Sequence, residues 1–347
     1  MREEYTGATS MLQIQENIPL FQFTTFHIGG PARFFVQVRT LEELREALHY
    51  AKDRSLKVLF LGGGSNMLVS DIGFPGLVIK VEFFGIEEVV DAGGRVVCMV
   101  GAGEHWDSLV LHVVDAGLWG IENLSGIPGT VGAAPVQNIG AYGTELKDSL
   151  LWVEAYDTEA HAIVTFTREE CQFSYRQSVF KRSGDRYCVL RVVFRLSNSG
   201  EANLSYKDLA EFFIEERKPS VAAVRDAVLS IRAKKFPDLT KEGTAGSFFL
   251  NPILSIEEAA RLRAIHPELP QYPDAQGVKI SLAWLLDKGL GLRGYSIGGA
   301  RLFEQQPLVV VSSNGVARDV EALVYDVQQK IVDVYDIKVV FEVQKIS

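Results

Sequence analysis

The sequence predicts an α+β chain built partly from α/β elements, and three observations carry that reading. Strand-like runs alternate with a helical periodicity up to residue 81, strands dominate the middle, and a long helical stripe precedes a terminal strand. At 347 residues the chain exceeds one ordinary domain and suggests two or three. Its 47% apolar and 23% charged residues are a globular composition that excludes disorder for the bulk of the chain.

Residues 1–17 are polar and aperiodic and read as a loose extension. Residues 18–87 form a first region. Ala32 to Val38 alternates like a strand, and Thr40 with Glu43 forms a capping box before a helix that carries Leu41, Leu44 and Leu48. Lys57 to Leu61 is a buried strand running into Gly62-Gly63-Gly64-Ser65-Asn66, and Leu77 to Val81 is another strand. Residues 88–218 form a second region, with a strand at Arg95 to Val100, a turn at Gly101-Ala-Gly103 and a helix from Glu104 to Ala116. Between Ile121 and Gly143 small residues prevail, and Pro128 and Pro135 exclude a regular helix. Strands follow at 151–156, 162–166 and 187–196. Residues 219–347 form the third region. Ser220 caps a helix that Pro237 stops, and a short helix spans 283–287. A strand covers 308–311, and Val320, Leu323, Val324, Val327, Ile331 and Val334 mark a long helix that precedes a strand at 338–343.

Charge and cysteine usage exclude several functions. Lys and Arg total 35 and Asp and Glu 44, a net charge of −9, opposite to a general nucleic-acid or anionic-membrane binder. An anionic ligand therefore needs a local cluster of donors. Cys98, Cys171 and Cys188 are widely spaced without a CxxC pair, and the six histidines are scattered, so neither a disulfide framework nor a metal site is expected. The N-terminus lacks the apolar segment of a signal peptide, and no run approaches the ~20 apolar residues that span a bilayer. The expected location is the cytoplasm, without membrane insertion or an obligate protein partner.

Several glycine segments compete as phosphate loops. Gly289 to Gly294 spells GxGxxG but follows a helix, not a strand, and so reads as a helix C-cap and turn. Gly101-Ala-Gly103 is correctly placed, yet Trp106 occupies the third glycine position of a dinucleotide fingerprint. No Walker motif occurs. Gly62 to Asn66 and Ser125 to Pro135 are better candidates, since main-chain N–H groups there can cradle a diphosphate. Either alone also reads as a pair of tight turns; both together, followed by Gln137 to Gly143, favour a dinucleotide-like cofactor.

Thr25-Phe-His-Ile-Gly-Gly-Pro-Ala-Arg33, Gly62-Gly-Gly-Ser-Asn66, Ile127-Pro-Gly-Thr-Val-Gly132, Gln137-Asn-Ile-Gly-Ala-Tyr-Gly143, Ser174-Tyr-Arg176, Ala245-Gly-Ser-Phe-Phe249 and Phe341-Glu342 occur in this order. The ordered set resembles the UDP-N-acetylenolpyruvoylglucosamine reductases (UDP-N-acetylmuramate dehydrogenases), from about residue 18 to 345. The resemblance implies a two-lobed FAD-binding domain of the vanillyl-alcohol-oxidase type plus a C-terminal substrate-binding domain. It also implies non-covalent FAD, NADPH as hydride donor, and the enolpyruvyl ether of UDP-N-acetylglucosamine as substrate in peptidoglycan precursor synthesis.

Roles follow from the same resemblance. Arg176 would pair with the substrate carboxylate, Glu342 would control its charge, and Ser247 would protonate C2 after hydride reaches C3. FAD contacts would come from Gly62, Gly63, Gly64, Ser65, Asn66, Ser125, Gly126, Ile127 and Pro128. Gly132, Ala133, Asn138, Gly140, Ala141 and Arg232 would complete them. Tyr175, Tyr206, Lys235, Asn251 and Gln306 would hold the substrate, and Tyr272 would close over it on a mobile loop, which marks the longer of the family's two subtypes. The Arg232-Ala-Lys234-Lys235 run would supply the positive cluster that an acidic chain needs. Two rivals are weighed: an oxidase of the same FAD-binding superfamily, which often tethers flavin through His or Cys, and a non-enzymatic nucleotide-binding module. His27, the histidine nearest a glycine segment, reads as structural.

Overall fold

The computed structural model describes residues 12–91, 93–216, 218–313 and 315–347. The first region builds a four-stranded sheet in the order β1-β2-β5-β3, from Gln15–Pro19 (β1), Pro31–Val38 (β2), Val58–Leu61 (β3) and Phe74–Val81 (β5). Strands β2, β5 and β3 run parallel, and β1 joins antiparallel. Helix α1 (Leu41–Asp53) crosses between β2 and β3, opened by the expected Thr40–Glu43 capping box, and buries Leu44, Ala47 and Ala51. A short strand β4 (Met67–Val69) leaves this sheet for a partner at the far end of the chain.

The second region is a five-stranded antiparallel sheet in the order β11-β10-β12-β7-β6. Its strands are Ile86–Val90 (β6), Val96–Gly101 (β7), Leu150–Asp157 (β10), Ala162–Thr167 (β11) and Tyr187–Leu196 (β12). Helix α2 (Trp106–Asp115) covers it, and a small hairpin pairs Gly140–Ala141 (β8) with Thr144–Glu145 (β9). Val131–Gln137 winds as a 3₁₀ turn through Pro135, the tighter form that the proline tolerates. Trp106 is fully buried with its ring 5.9 Å from Phe194, which gives the ring that displaces the third glycine a packing role. The two regions share one core, in which Phe34, Val36 and Ile79 of the first meet Cys98, Val110 and Phe194 of the second.

Short helices α3 (Val179–Arg182) and α4 (Lys207–Phe212) precede α5 (Val221–Lys235), which the Ser220 side chain caps. Beyond α5 the third region continues with β13 (Gly243–Ser247), β14 (Ile253–Leu254) and α6 (Ile256–Ile265). A hairpin of β15 (Gln271–Asp274) and β16 (Gly277–Ile280) follows, and β16 also pairs with β14. After α7 (Leu282–Trp284), which continues into a wide turn at Leu285–Gly289, come β17 (Ser296–Ile297), β18 (Ala300–Leu302) and β19 (Val309–Ser312). The sheet β13-β19-β18-β17 packs under α8 (Ala317–Tyr335), and β20 (Gln344–Ile346) ends the chain.

Several boundaries differ from the sequence expectations. Residues 15–17 belong to β1, so the expected loose extension overlaps a paired strand; residues 1–11 lie outside the described residues. The second sheet begins at Ile86, before residue 88. Val334 is 59% exposed, because Tyr335, four residues after Ile331, takes the inward place on α8. The expected strand at 338–343 is a single bridge, Phe249 to Phe341. Val339 and Val343 are anchored in the third region's core, and the ladder begins only at β20, which runs parallel to β4. Gly291 and Gly294 take positive φ in the turn after the wide helical end, as a C-cap reading requires.

Candidate active site

A cleft of about 900 Å³ opens where the three regions meet. One wall comes from the turn between β3 and β4. Gly64 adopts φ +62° and packs on the Phe23 carbonyl, a place without room for a Cβ. A Cβ on Gly63 would lie 2.5 Å from Gly129 Cα, so this turn and the 126–130 segment touch along their backbones. Ser65 Oγ donates to Pro128 O at 2.9 Å and ties them together. The main-chain N–H groups of Gly63, Gly64 and Ser65 donate to no described residue, a run of unspent donors suited to an anionic diphosphate.

The second segment is braced from behind. Gly126 has φ +70°, and its N–H donates to Asp107 Oδ1 at 2.5 Å. Asp107, in the first turn of α2, also takes Arg225 in a bidentate pair at 2.7 and 2.8 Å. Burial raises the Asp107 pKa, yet Arg225 and the Gly126 N–H outweigh it and hold the carboxyl below the ordinary range. Arg232, in the last turn of α5, lines the same cleft; burial lowers its pKa against the opposing pull of Tyr142 and Asp107. The glycine cradle, the free amides and this guanidinium fit a dinucleotide cofactor.

Arg176, Glu342 and Ser247 line the same cleft, and Asn66 of the first turn reaches the Glu342 carbonyl. Arg176 holds φ +54°, a left-handed conformation for a side chain that is far from small. Its Nε donates to Glu342 Oε1 at 2.7 Å and its Nη2 to Gly140 O at 2.9 Å. Burial works against the Arg176 charge, but the Glu342 carboxylate more than compensates and leaves the pKa raised. Glu342 is 8% exposed, fixed through its N–H on Phe248 O and its carbonyl on Asn66 Nδ2. Ser247 ends β13 at an irregular step in the pairing with β19, and no described residue accepts from its hydroxyl.

Most other candidates line the cleft as well. Tyr175 accepts from Asn251 Nδ2 at 3.4 Å, Lys235 pairs with Asp208 and lies 5.3 Å above the Tyr206 ring, and Gln306 completes this side. Gly62, Asn66, Ile127, Pro128, Ala133, Gly140 and Ala141 also face it. Four candidates do not. Ser125 is fully buried with its hydroxyl on Glu122 O, and the Gly132 N–H is spent on Ala102 O. The buried Asn138 bonds Glu145 and the Ser174 carbonyl, so it shapes the wall from within. Tyr272 stands 51% exposed on β15, away from the cleft lining. Lys234 is exposed and leaves the cluster to Arg232 and Lys235.

The sequence reading missed others. Gln137 accepts from Asn66 Nδ2 at 2.6 Å, and Thr130 and Tyr142 line the cleft. All three lie inside the glycine-rich stretch, whose composition was their signal. Asp107 had none, because its partner Arg225 is 118 residues away. Among the described residues no helix is long and apolar enough to cross a membrane, and no group of His, Cys, Asp and Glu is placed to hold a metal.

Residues 32–165 match the family model of an FAD binding domain, and residues 238–346 match that of the UDP-N-acetylenolpyruvoylglucosamine reductase C-terminal domain. The chain is 43% identical to the UDP-N-acetylenolpyruvoylglucosamine reductase of Neisseria gonorrhoeae, over 90% of this chain and 92% of that one. It is 40% identical to the protein of the same name from Pseudomonas aeruginosa, over 92% of this chain and 95% of that one. A solved UDP-N-acetylenolpyruvylglucosamine reductase from Thermus caldophilus superposes with a TM-score of 0.69 at 26% identity, covering 97% of this chain and all of that one.

Proposed function

The chain belongs to the UDP-N-acetylenolpyruvoylglucosamine reductase family, FAD-containing oxidoreductases of peptidoglycan synthesis, and from that premise we propose the finer chemistry of its cleft. The substrate is the enolpyruvyl ether of UDP-N-acetylglucosamine, the product UDP-N-acetylmuramate, and the hydride source NADPH. When bound, FAD would supply the two-electron hydride chemistry that links NADPH to the enolpyruvyl C3. Non-covalent binding is supported by a cleft lining without histidine or cysteine among the described residues.

The chain's own residues manage the charge and the proton. A guanidinium has five N–H donors, and Arg176 spends two, on Glu342 and Gly140. Those left face a substrate carboxylate, where positive charge stabilises the density that builds on C2 and the carboxylate. Glu342 fixes the guanidinium plane through Nε and sets how much positive charge the carboxylate meets. The Ser247 hydroxyl, without a partner among the described residues, donates the proton to C2 and completes addition of hydrogen across the double bond. The unspent amides of Gly63 to Ser65, with Arg232, hold the cofactor.

The observation that carries this reading is the meeting of Arg176, Ser247 and Glu342 in one cleft with both glycine segments, although they are distant in sequence. The test is spectroscopic. Purified protein shows a flavin band that NADPH bleaches, and the enolpyruvyl substrate restores it while UDP-N-acetylglucosamine does not. A flavin-free protein, or a reduced band that the enolpyruvyl substrate leaves bleached, refutes it.

A further inference from the structure

The strand that carries Ser247 is irregular, and one side chain holds the irregularity in place. Thr244 pairs with Val311 and Ser247 with Val309, so three steps along β13 match two along β19. Paired residues share a face and a strand alternates faces, so the extra residue turns Ser247 onto the face that Gly246 would take in an unbroken ladder. Without it the hydroxyl would point to the other side of the sheet. Gly246 absorbs the distortion at φ +77°, where an added Cβ would meet no atom within 4 Å, so backbone freedom and not space explains the glycine. The Thr244 side chain closes the irregular step. Its Oγ1 donates to Val310 O at 2.6 Å and accepts from Gly246 N at 3.1 Å.

The main chain of Thr244 is fixed from the first region. Its N–H donates to Thr25 O at 3.0 Å and its carbonyl accepts from Thr25 Oγ1 at 2.7 Å, while Thr25 N donates to Gly64 O at 3.2 Å. Thr25 thus ties Thr244 to the glycine turn of the cleft wall. Beyond Ser247, Phe248 N donates to Leu308 O at 2.7 Å and Phe248 O accepts from Glu342 N at 2.8 Å. Ser247 therefore sits between a residue bonded towards the glycine turn and a residue that carries Glu342. We propose that Thr244 is a positioning residue for the proton-transfer step, its hydroxyl fixing the extra residue of β13 that turns Ser247 into the cleft. The inference rests on the reading of Ser247 as the proton donor. Valine has nearly the same shape and suits a strand equally well, but it cannot bridge a carbonyl and an N–H, so the hydroxyl and not the bulk of Thr244 is the requirement.

The test compares flavin-loaded Thr244→Val, Thr244→Ser and Ser247→Ala with the parent, following flavin bleaching by NADPH and recovery with the enolpyruvyl substrate as separate half-reactions. Thr244→Val is expected to bleach at the parent's rate and to recover roughly ten- to hundredfold more slowly, the cost of misplacing a reacting group by about 1 Å. The loss should fall on kcat, with KM for the enolpyruvyl substrate within a few-fold of the parent's. Thr244→Ser keeps the hydroxyl and restores recovery to within a few-fold. Thr244→Ala, which leaves room for a water beside the freed polar groups, repeats the measurement should the valine variant fail to fold. The proposal is overturned if Thr244→Val recovers at the parent's rate, or if both half-reactions slow equally, as a merely structural role would have it. It is overturned also if the serine variant is as slow as the valine one. A Ser247→Ala enzyme that recovers like the parent instead refutes the reading of Ser247 as donor, and the positioning role falls with it.

Discussion

Replacing Gly63 by alanine is expected to loosen the cofactor. The added Cβ would lie 2.5 Å from Gly129 Cα, 3.0 Å from the Gly129 carbonyl carbon and 3.3 Å from Thr130 N. Carbon atoms pack at about 3.5 Å or more, so the two loops must part by about 1 Å. The neighbours are main chain and cannot rotate away. Forced overpacking of this kind costs about 1–3 kcal/mol. The strain falls on the two segments whose amides face the ligand, and at a factor of ten per 1.4 kcal/mol it corresponds to roughly 5- to 150-fold weaker FAD binding. Titration of deflavinated Gly63→Ala with FAD, alongside thermal unfolding, measures both effects. An unchanged dissociation constant would break the link between this loop contact and the cofactor, even if the melting temperature fell.

Other perturbations test the chemistry side. Ser247→Ala should leave stability within about 0.5 kcal/mol, since no described residue accepts from its hydroxyl. NADPH bleaching should stay near normal while substrate-driven recovery slows 10²- to 10⁴-fold, about the worth of a general acid; equal slowing of both halves removes Ser247 as the donor. Arg176→Lys cannot keep both the Glu342 and the Gly140 contacts, each worth roughly 1.5–3 kcal/mol for a charged group, so turnover should drop at least tenfold, and near-normal rates would exclude Arg176 from the site. Asp107→Asn tests the brace behind Gly126. The folded pKa of Asp107 is depressed, so its contribution is present above the unfolded value of about 3.9 and is lost as pH falls through the lower folded value. Urea midpoints of parent and variant should differ at pH 7 and converge towards pH 3, and a constant gap contradicts the assignment.

Much of the site was legible because its chemistry is local. Gly62 to Asn66 and the 125–143 stretch carry backbone requirements, positive φ and close approach, that only particular residues satisfy. Facing was not legible. Ser125 and Asn138 stand in the same motifs as Gly126 and Gly140, yet they turn inward and satisfy buried polar groups, since period and composition do not say which side of an irregular loop meets solvent. The Asp107–Arg225 brace and the switch of the chain end from 338–343 to β20 are long-range pairings, invisible to any local window. Tyr272 shows the converse: a residue singled out for the substrate stands on an exposed hairpin, where the cross-strand neighbour Lys279 turned out to touch the cleft wall.

The parallel pairing of β20 with β4 has a consequence for how the molecule is assembled. Glu342 enters its place immediately before that pairing, and Asn66, 276 residues upstream, grips its carbonyl. Loop closure on this scale is entropically expensive and slow. The acid is thus held at the latch that fastens the tail of the polypeptide to its head, and undocking the final strand would take the Glu342 carboxylate from its guanidinium partner.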